Sequence, residues 1–418
     1  MHDGGMTAAA SKRYQFTAQP VGPTIVGGEG VWLYTAQGTR ILDGAGGALV
    51  CNVGHGRREV VDAITASLMA TDYVLPVWGT PNRSVLIDRL VDAWLPDGHH
   101  HAFFACGGSE ANDSAIRLAR LHHLSAGRTG KWKVIGRSPS YHGSTLATLA
   151  AGGHGARRSG LEPLLAEWPK APWNDAGAVA AAIEAAGPDS VSAFIAEPLI
   201  GAAGGALVAD SDYWAEVVEI CRKYEVVTIA DEVMTGFGRT GWRWGHEHDG
   251  WTPDILVTGK GLAGGYQPIS MVSAADHIVD PVTDAGRVLM FFTYSGHDAA
   301  CAAALSVLDI LEREHLTERA DVMGNSLRSL LDSRFGDHPA VTEVRGRGLM
   351  QAVGLRHGIV GSRVVAACLD RGVWLYPAGS GHAVGDSVMF GPPLIVEQSH
   401  LELMVDTLSD VLDVMDAP

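Results

Sequence analysis

Between about residues 100 and 275, short runs of apolar residues alternate with stretches of helical periodicity. Within each run the side chains do not alternate between apolar and polar, which is typical of strands buried on both faces. The runs are 102–105, 133–135, 191–196, 226–230, 255–258 and 269–273, and the clearest helices are predicted over 109–124 and 212–224. Helices between buried strands are crossover connections, so this pattern predicts an α/β protein with a mainly parallel sheet flanked by helices.

After about residue 300 the pattern changes to longer helices that lead into short strands. We expect helices over 299–314, 317–335, 361–371 and 400–415, and strands over 349–355 and 373–376. This order predicts a smaller α+β domain at the C-terminus. We therefore divide the chain into an N-terminal segment, 1–50, that contributes to the small domain, a large domain, 51–300, and the C-terminal small domain, 301–418.

The net charge argues against large anionic partners. Acidic residues outnumber Lys and Arg by 47 to 31, which gives a formal charge of −16. Such a surface repels phosphate backbones and anionic lipids, so we expect neither a nucleic acid nor a membrane as a partner. No apolar run approaches the roughly 20 residues that span a bilayer. The N-terminus also lacks the basic and apolar regions of a signal peptide.

The cysteines and histidines predict neither a disulfide framework nor a metal site. The five cysteines are widely separated and odd in number, which favours a reducing compartment and a cytoplasmic location. His246 and His248 resemble metal ligands, but they are two residues apart and no third ligand accompanies them, so we reject a zinc site.

Only six lysines occur in the chain, and Lys260 differs from the others in its surroundings. Five of them have polar, Gly or Pro neighbours or lie on a helix beside other charges, so we expect their amines to be solvated. Lys260 instead follows the apolar run 255–258 and precedes a Gly-rich stretch. Burial lowers the pKa of an amine and makes it nucleophilic, so Lys260 is a candidate for Schiff-base chemistry. A lysine paired with a carboxylate, or one that extends to solvent, is the alternative.

Carboxylates follow two of the predicted strands directly. Asp231 comes after the run 226–230, and Glu197 comes after the run 191–196. In doubly wound sheets the carboxyl ends of the strands line the ligand crevice. A structural salt bridge explains one such pair, but three charged strand ends in series, with Lys260 as the third, favour a functional site.

The sequence Cys-Gly-Gly-Ser-Glu-Ala-Asn at 106–112 joins a predicted strand to a predicted helix. The glycines allow close approach to the backbone, and the start of a helix offers free N–H groups and partial positive charge. Ser109 can add a hydroxyl, so the segment is a candidate phosphate site or, alternatively, an ordinary turn. Tyr141 follows the strand 133–135 and can stack on a flat ring or fill the core.

Together these residues resemble the class III (omega-type) aminotransferases, which are pyridoxal-phosphate enzymes of fold type I. The motifs occur in the family's order and spacing from about residue 30 to the end of the chain. They are CGGSEAN at 106–112, YHG at 141–143, AEP at 196–198, ADEVMTGFGRTG at 230–241, PDILVTGKGLAGG at 253–265 and FTYSGH at 292–297. The resemblance implies a large cofactor-binding domain and a smaller α+β domain.

The resemblance implies that Lys260 and Asp231 are the catalytic pair. Lys260 forms the Schiff base with pyridoxal 5′-phosphate and moves the proton between substrate and cofactor. Asp231 binds the pyridine nitrogen and keeps it protonated, so that the ring accepts electrons. Gly108 and Ser109 bind the phosphate.

Further roles follow from the same resemblance. Tyr141 lies against one face of the cofactor ring and Val233 packs on the other. Glu197 and His142 belong to the cofactor pocket. Thr293 donates to the phosphate in the neighbouring subunit, which implies a homodimer with sites at the interface.

Four positions bear on the substrate or depart from the family's pattern. Met234 stands where the ornithine and GABA branch has glutamine, and so resembles the amine and ω-amino acid branch. Tyr376 stands where many omega-transaminases carry an arginine that binds a substrate carboxylate, so another group must recognise a keto acid. Asp298 replaces the proline that usually follows Ser-Gly-His. We expect Trp78 and Tyr376 to contact the substrate.

The sequence therefore predicts an aminotransferase that moves an amino group between a primary amine or amino acid and a keto acid or aldehyde. The alternative is an enzyme of the same fold with non-transaminating chemistry, such as a decarboxylase, racemase, aminomutase or oxidative deaminase. A catalytically silent scaffold would lack Lys260 or Asp231, and both residues are present.

Overall fold

A seven-stranded sheet forms the centre of the computed structural model, which describes residues 22–288, 292–379 and 384–415. The first 21 residues of the predicted N-terminal segment lie outside the described residues. In chain order the strands are β1 Ile25–Glu29, β2 Trp32–Thr35, β3 Arg40–Asp43, β4 His101–Ala105, β5 Lys133–Ser138, β6 Lys170–Pro172, β7 Val191–Ala196, β8 Leu199–Ile200, β9 Leu207–Val208, β10 Val227–Asp231, β11 Ile255–Thr258, β12 Ser270–Ala274, β13 Val341–Arg347, β14 Met350–Leu355, β15 Val373–Trp374, β16 Tyr376–Ala378 and β17 Ser387–Phe390.

Helices cover both faces of this sheet and form much of the C-terminal region. They are Gly46–Leu49, Arg58–Ala70, Pro81–Ala93, Gly108–Ser125, Leu146–Ala151, Gly155–Arg158, Ala176–Ala186, Tyr213–Lys223, Asp276–Asp284, Asp298–Arg313, Leu316–Phe335, Gly361–Leu369 and Gln398–Met415. Over the part of the chain that the structure describes, no helix is long and apolar enough to cross a membrane.

The central sheet has the strand order β4-β12-β11-β10-β7-β5-β6. The pairs β11–β10, β10–β7, β7–β5 and β5–β6 are parallel, whereas β12 runs antiparallel to both β11 and β4. The predicted mainly parallel sheet is therefore confirmed, with β12 as an antiparallel strand within it. Because β7, β10 and β11 are adjacent and parallel, the residues that follow them meet at one edge of the sheet.

Two four-stranded sheets lie outside the central one. The first has the order β1-β2-β3-β15, so strands near the N-terminus pair with one from the C-terminal region. The second has the order β13-β14-β17-β16 and is antiparallel, with helices of the C-terminal region packed against it. This arrangement agrees with the predicted α+β character, while the boundaries at residues 50 and 300 stay predictions.

The helix Gly108–Ser125 packs on the sheet through a row of small side chains. Ala111, Ala115 and Ala119 recur every four residues, so they share one face of the helix. All three are buried in one apolar cluster with Ile195 of β7 and Val257 of β11. Small residues let the helix lie close to the strands, and its N-terminus therefore begins beside the strand ends.

Asp298, the departure from the family's pattern, is the first residue of the helix Asp298–Arg313 and joins three helices. Its carboxylate accepts hydrogen bonds from Ser67 Oγ at 2.9 Å, from the Asn82 amide at 3.1 Å and from Asn82 Nδ2 at 2.6 Å. Burial raises the pKa of Asp298, but the hydrogen bonds from Ser67 and Asn82 outweigh that effect and hold it below its usual value.

Replacement of Asp298 by alanine is expected to lower the free energy of unfolding by about 1–2 kcal/mol at pH 7, because hydrogen bonds to a charged group are lost. Since folding lowers this pKa, the stabilisation is present above the unfolded pKa of about 3.9 and is lost as the pH falls through the folded pKa. Urea unfolding of both proteins between pH 7 and pH 3 measures this effect. Asp309→Ala is the control, because Asp309 lies on the same helix as Asp298 and its replacement removes only a surface ion pair with Arg89. A difference from wild type that does not shrink at low pH would contradict the assignment.

Candidate active site

A cavity of about 470 Å³ opens at the carboxyl ends of β7, β10 and β11. The three charged residues predicted at these strand ends, Glu197, Asp231 and Lys260, all contribute to its wall. Eight of the predicted site residues line it, namely Gly108, Ser109, Tyr141, His142, Glu197, Asp231, Val233 and Lys260. The crossover topology thus brings together side chains that lie up to about 150 residues apart in sequence.

Lys260 begins the short 3-10 turn Lys260–Leu262 that follows β11. Its backbone φ is +37°, in the region that favours glycine, so the surrounding structure holds it in a strained conformation. Burial lowers the pKa of Lys260 to about 8, although the negative charges of Asp231 and Glu197 oppose that shift. Among the described residues its amine forms neither a hydrogen bond nor an ion pair. The amine is therefore available to a molecule in the cavity.

Two other lysines are not solvated, which corrects the expectation that five of the six would be. Lys131 is only 3% exposed, and its amine donates to the carbonyl oxygens of Pro188, Val191 and Tyr224. Burial also lowers the pKa of Lys170 to about 7, and its amine donates to backbone carbonyls, including that of Trp168 at 3.1 Å. Neither residue lines the cavity. Backbone carbonyls accept hydrogen bonds from these two amines, whereas the amine of Lys260 has no such acceptor among the described residues.

Asp231 ends β10, and three donors fix its carboxylate. Asn112 Nδ2 lies 2.9 Å from Oδ2, His142 Nδ1 lies 2.8 Å from the same oxygen, and the amide of Val233 donates to Oδ1 at 3.2 Å. Because a carboxylate only accepts, the proton of the His142 ring is on Nδ1. These contacts hold a buried negative group in one orientation at the wall of the cavity.

Asn112 is a site residue that the sequence reasoning missed. Its amide also donates to the carbonyl oxygen of His142 at 2.8 Å, so it links that residue to Asp231. Asn112 lies four residues after Gly108 on one helix, and this spacing alone places both on the same face. The Oδ1 atom of Asn112 and the Nε2 atom of His142 are buried and have no hydrogen-bond partner among the described residues.

Glu197 is bonded to backbone amides on both carboxylate oxygens. Oε1 accepts from the amide of Tyr141 at 2.9 Å, and Oε2 accepts from the amide of Gly201 at 2.9 Å. Burial raises the pKa of Glu197, with a further increase from the charge of Asp231, while His142 and the two amides lower it. The side chain ties the segment that carries Tyr141 to the end of β7. It thereby positions the tyrosine at the cavity.

The helix Gly108–Ser125 begins at the cavity, with Gly107 as its N-cap. No side chain caps this end, and a Cβ added to Gly107 would meet no atom within 4 Å. Ser109 Oγ accepts from the amide of Ser144 at 3.0 Å. A Cβ on Gly143, whose φ is +144°, would come within 2.5 Å of that oxygen. The site thus offers uncapped helix N–H groups and a hydroxyl, a set suited to an anion.

Val233 packs against Gly108, the first residue of this helix. A Cβ on Gly108 would lie 3.0 Å from Val233 Cγ1 and 3.1 Å from Cγ2. Glycine at position 108 therefore permits this close packing. Val233 and Tyr141 both line the cavity, and they supply an apolar and an aromatic surface to it.

Three predicted residues lie outside the lining of the cavity in this chain. Thr293 is exposed in the loop that precedes the helix Asp298–Arg313. Trp78 is 60% exposed. Tyr376 is partly buried in β16, where it packs against a cluster that includes Met350 and the cavity residue Met234. Burial raises the pKa of Tyr376.

His246 and His248, the pair with a metal-like spacing, contact different groups. His246 Nδ1 lies 2.8 Å from Glu232 Oε1, and the carboxylate of Glu232 also accepts from the amides of Gly245 and His246. His248 Nε2 donates to the carbonyl oxygen of Thr240 at 3.0 Å. His246 thus belongs to a buried hydrogen-bond network around Glu232, whereas the half-buried His248 bonds to a separate backbone carbonyl.

Comparisons with known proteins cover nearly the whole chain. The family profile described as aminotransferase class-III matches residues 16–412. The putrescine–pyruvate aminotransferase of Pseudomonas aeruginosa is 33% identical over 410 residues, which cover 92% of this chain and 89% of that protein. The (S)-enantioselective omega-transaminase from Thermomicrobium roseum is 32% identical, with a TM-score of 0.89, over 100% of this chain and 97% of that one. The omega-transaminase from Pseudomonas jessenii, solved in complex with PMP, is 30% identical, with a TM-score of 0.88, over 99% of this chain and 96% of that one.

These similarities confirm the resemblance that the motifs predict and the fold class of the chain. They also favour transamination over the decarboxylase, racemase, aminomutase and oxidative deaminase alternatives, because the relatives are aminotransferases.

Proposed function

This chain belongs to the class III aminotransferases, a family of pyridoxal-phosphate-dependent transaminases, and we propose that it transfers the amino group of a primary amine to a small α-keto acid. The donor class rests on Met234, the residue that resembles the amine and ω-amino acid branch. The acceptor class rests on similarity to a relative named for putrescine and pyruvate. The observation that carries the proposal is the unpartnered amine of Lys260 in one cavity with the fixed carboxylate of Asp231.

The residues of the cavity fit pyridoxal 5′-phosphate. The uncapped start of the helix Gly108–Ser125 suits the phosphate, and the buried Asp231 suits a protonated ring nitrogen. The orphaned Asn112 Oδ1 and His142 Nε2 atoms are further polar groups at the same wall. When bound, the cofactor supplies an aldehyde carbon and a ring that accepts electrons from the substrate.

In the proposed reaction Lys260 holds the cofactor and moves a proton. A pKa of about 8 leaves about a tenth of its amine neutral near pH 7, whereas less than about a thousandth of an ordinary lysine amine is neutral there. The neutral Nζ can attack a carbonyl carbon and, once released, accept and return the α-proton of the substrate. The backbone strain at Lys260 and the close packing of Gly261 on Asn52 restrict where this amine can reach.

Asp231 would hold the cofactor's ring nitrogen and supply fixed negative charge to it. Asn112, His142 and the Val233 amide hold its carboxylate, so little reorganisation is needed during the reaction. Glu197 positions Tyr141, whose ring would cover one face of the bound cofactor. Val233 would present an apolar side chain to the other face.

The experiment that tests this function mixes the holoenzyme with a primary amine such as putrescine and no acceptor. Transamination converts the cofactor to its amine form in a single turnover, with loss of the visible absorbance, and pyruvate then restores it. Continued turnover of the amine without that spectral change would contradict transamination.

The reconstitution rate of the apoenzyme with pyridoxal phosphate is expected to rise with pH. The neutral form of the Lys260 amine increases as the pH rises through its pKa of about 8. We expect the rate, followed by visible absorbance between pH 6 and pH 10, to reach half of its plateau near pH 8. A midpoint near the ordinary lysine value of about 10.4 would contradict the lowered pKa.

We also propose a cytoplasmic homodimer in which Thr293 reaches the neighbouring site. Exposed aromatic side chains lie beside this residue: Tyr294 follows it in sequence, and the exposed ring of Tyr73 packs edge-on against Tyr294 with ring centroids 5.9 Å apart. Such a patch supports a protein interface. Thr293→Ala is expected to weaken phosphate binding without changing the oligomer, as measured by cofactor titration and light scattering. A monomeric wild-type enzyme would overturn this part of the proposal.

A further inference from the structure

The proposed acceptor carries a carboxylate, and the cavity must accommodate its negative charge. Asp231 and Glu197 repel an anion, and the amine of Lys260 is committed to the chemistry. Tyr376 occupies the position at which many omega-transaminases carry a carboxylate-binding arginine, and no arginine follows Arg371 in this sequence. The cation that binds the carboxylate must therefore come from an earlier part of the chain.

Arg157 is the cation that the geometry points to. It lies in the short helix Gly155–Arg158, and its guanidinium carbon is 4.5 Å from the centroid of the Tyr141 ring. Tyr141 lines the cavity, whereas Arg157 is outside its lining and is linked to it through the Tyr141 ring. Arg157 is exposed, and among the described residues its guanidinium forms no ion pair or hydrogen bond.

The neighbouring arginines are engaged and cannot serve the same purpose. Arg158 donates to the carbonyl oxygens of Ala150 at 3.1 Å and Gly152 at 3.0 Å. Arg239 is fully buried and donates to Asn52 and to backbone carbonyls. These contacts satisfy both guanidinium groups within the protein.

The charge of Arg157 acts on two groups, Lys260 in the cavity wall and Tyr376 outside the lining of the cavity. It lowers the pKa of Lys260, for which burial is the larger cause. It also lowers the pKa of Tyr376, against the stronger effect of burial. Arg157 is thus close enough to influence the reactive amine and the tyrosine that replaces the missing arginine.

We propose that Arg157 binds the carboxylate of the α-keto acid acceptor at the mouth of the cavity, and this inference rests on the proposed transaminase function. The guanidinium lies over the Tyr141 ring, and its N–H groups have no partner among the described residues. These N–H groups can form two parallel hydrogen bonds with a carboxylate. The stacked ring also limits the orientations of the arginine, which gives the acceptor a fixed position relative to Lys260.

The test compares pyruvate with propanal, which has the same number of carbon atoms but no carboxylate. In Arg157→Leu we expect kcat/KM for pyruvate to fall about tenfold or more, since charged hydrogen bonds are lost. For propanal we expect a change of less than about twofold, because it makes no such bond. Propionate is expected to inhibit the wild type competitively against pyruvate and to inhibit the variant about tenfold more weakly. Arg157→Lys keeps the charge without the planar edge and should recover part of the pyruvate activity.

Arg58→Leu is the matched control, because Arg58 is an exposed arginine that pairs with Asp62 on a distant helix. We expect it to leave both acceptors and propionate inhibition unchanged. Equal effects of Arg157→Leu on pyruvate and propanal, or no effect on either, would overturn the inference while transamination itself persists. A wild-type enzyme that forms no amine form of the cofactor with any donor would instead overturn the proposed function.

Discussion

Replacement of Lys260 by alanine is expected to lower kcat at least about 10³-fold, because the proposed nucleophile and the proton carrier are lost together. The cofactor should bind more weakly and lack the visible absorbance that its covalent bond to the amine produces. The fold should persist, since the side chain lies at a cavity wall and makes no hydrogen bond to a described residue. Stopped-flow absorbance with a donor amine, together with circular dichroism, measures both effects.

Lys223→Ala provides the control for this variant. Lys223 is a helix lysine whose amine lies over the ring of its neighbour Tyr224, far from the strand ends. Its removal should change neither the spectrum nor the rate. A Lys260→Ala enzyme that keeps the wild-type spectrum would exclude Lys260 as the residue that holds the cofactor.

Replacement of Asp231 by asparagine is expected to lower kcat by about 10²–10³-fold, the usual effect of removing one preorganised electrostatic group. Asparagine keeps the size of the side chain but removes the charge that we propose holds the ring nitrogen protonated. The His142 Nδ1 donor loses its charged partner as well. Single-turnover kinetics with a donor amine separate this loss from any change in cofactor affinity.

Asp254→Asn is a matched control for Asp231→Asn. Asp254 precedes β11 at the other end of the strand and accepts from the Thr228 amide and hydroxyl at 2.8 Å each and from His277 Nε2 at 3.0 Å. Its replacement should lower thermal stability and leave the single-turnover rate unchanged. Equal rates for the two variants would contradict an electrostatic role for Asp231.

The strand ends could be predicted from the sequence because their signal is local. Uninterrupted apolar runs indicate buried parallel strands. A charged residue directly after such a run lies at the carboxyl end of the strand, where the ligand crevice of such a sheet is found. β7, β10 and β11 are adjacent in the sheet, so Glu197, Asp231 and Lys260 meet as the sequence predicts. The start of the helix at Gly108 follows from the same local reasoning.

Contacts between distant segments could not be predicted in this way. Lys131 and Lys170 have polar, glycine or proline neighbours in sequence, yet their amines donate to carbonyl oxygens of residues farther away in the chain, such as Tyr224 for Lys131 and Ala150 for Lys170. The partners of Asp298 come from two other helices, and the position of Arg157 over Tyr141 depends on how the short helix Gly155–Arg158 packs on the segment that carries the tyrosine. None of these contacts leaves a periodic pattern in the sequence.

The burial of lysines also shows why a lowered pKa does not identify the catalytic amine. The pKa of Lys170, at about 7, is lower than that of Lys260, at about 8. The two residues differ in what surrounds the amine. Lys170 donates to carbonyl oxygens, whereas Lys260 faces an open cavity beside Asp231.

The most direct measurement identifies the lysine that binds the cofactor. Borohydride reduction of the holoenzyme makes the bond between lysine and cofactor permanent, and peptide mass spectrometry then finds the modified residue among the six lysines. We predict one modified lysine per chain, at position 260. Modification at Lys170 or Lys131 with Lys260 unmodified would contradict the account.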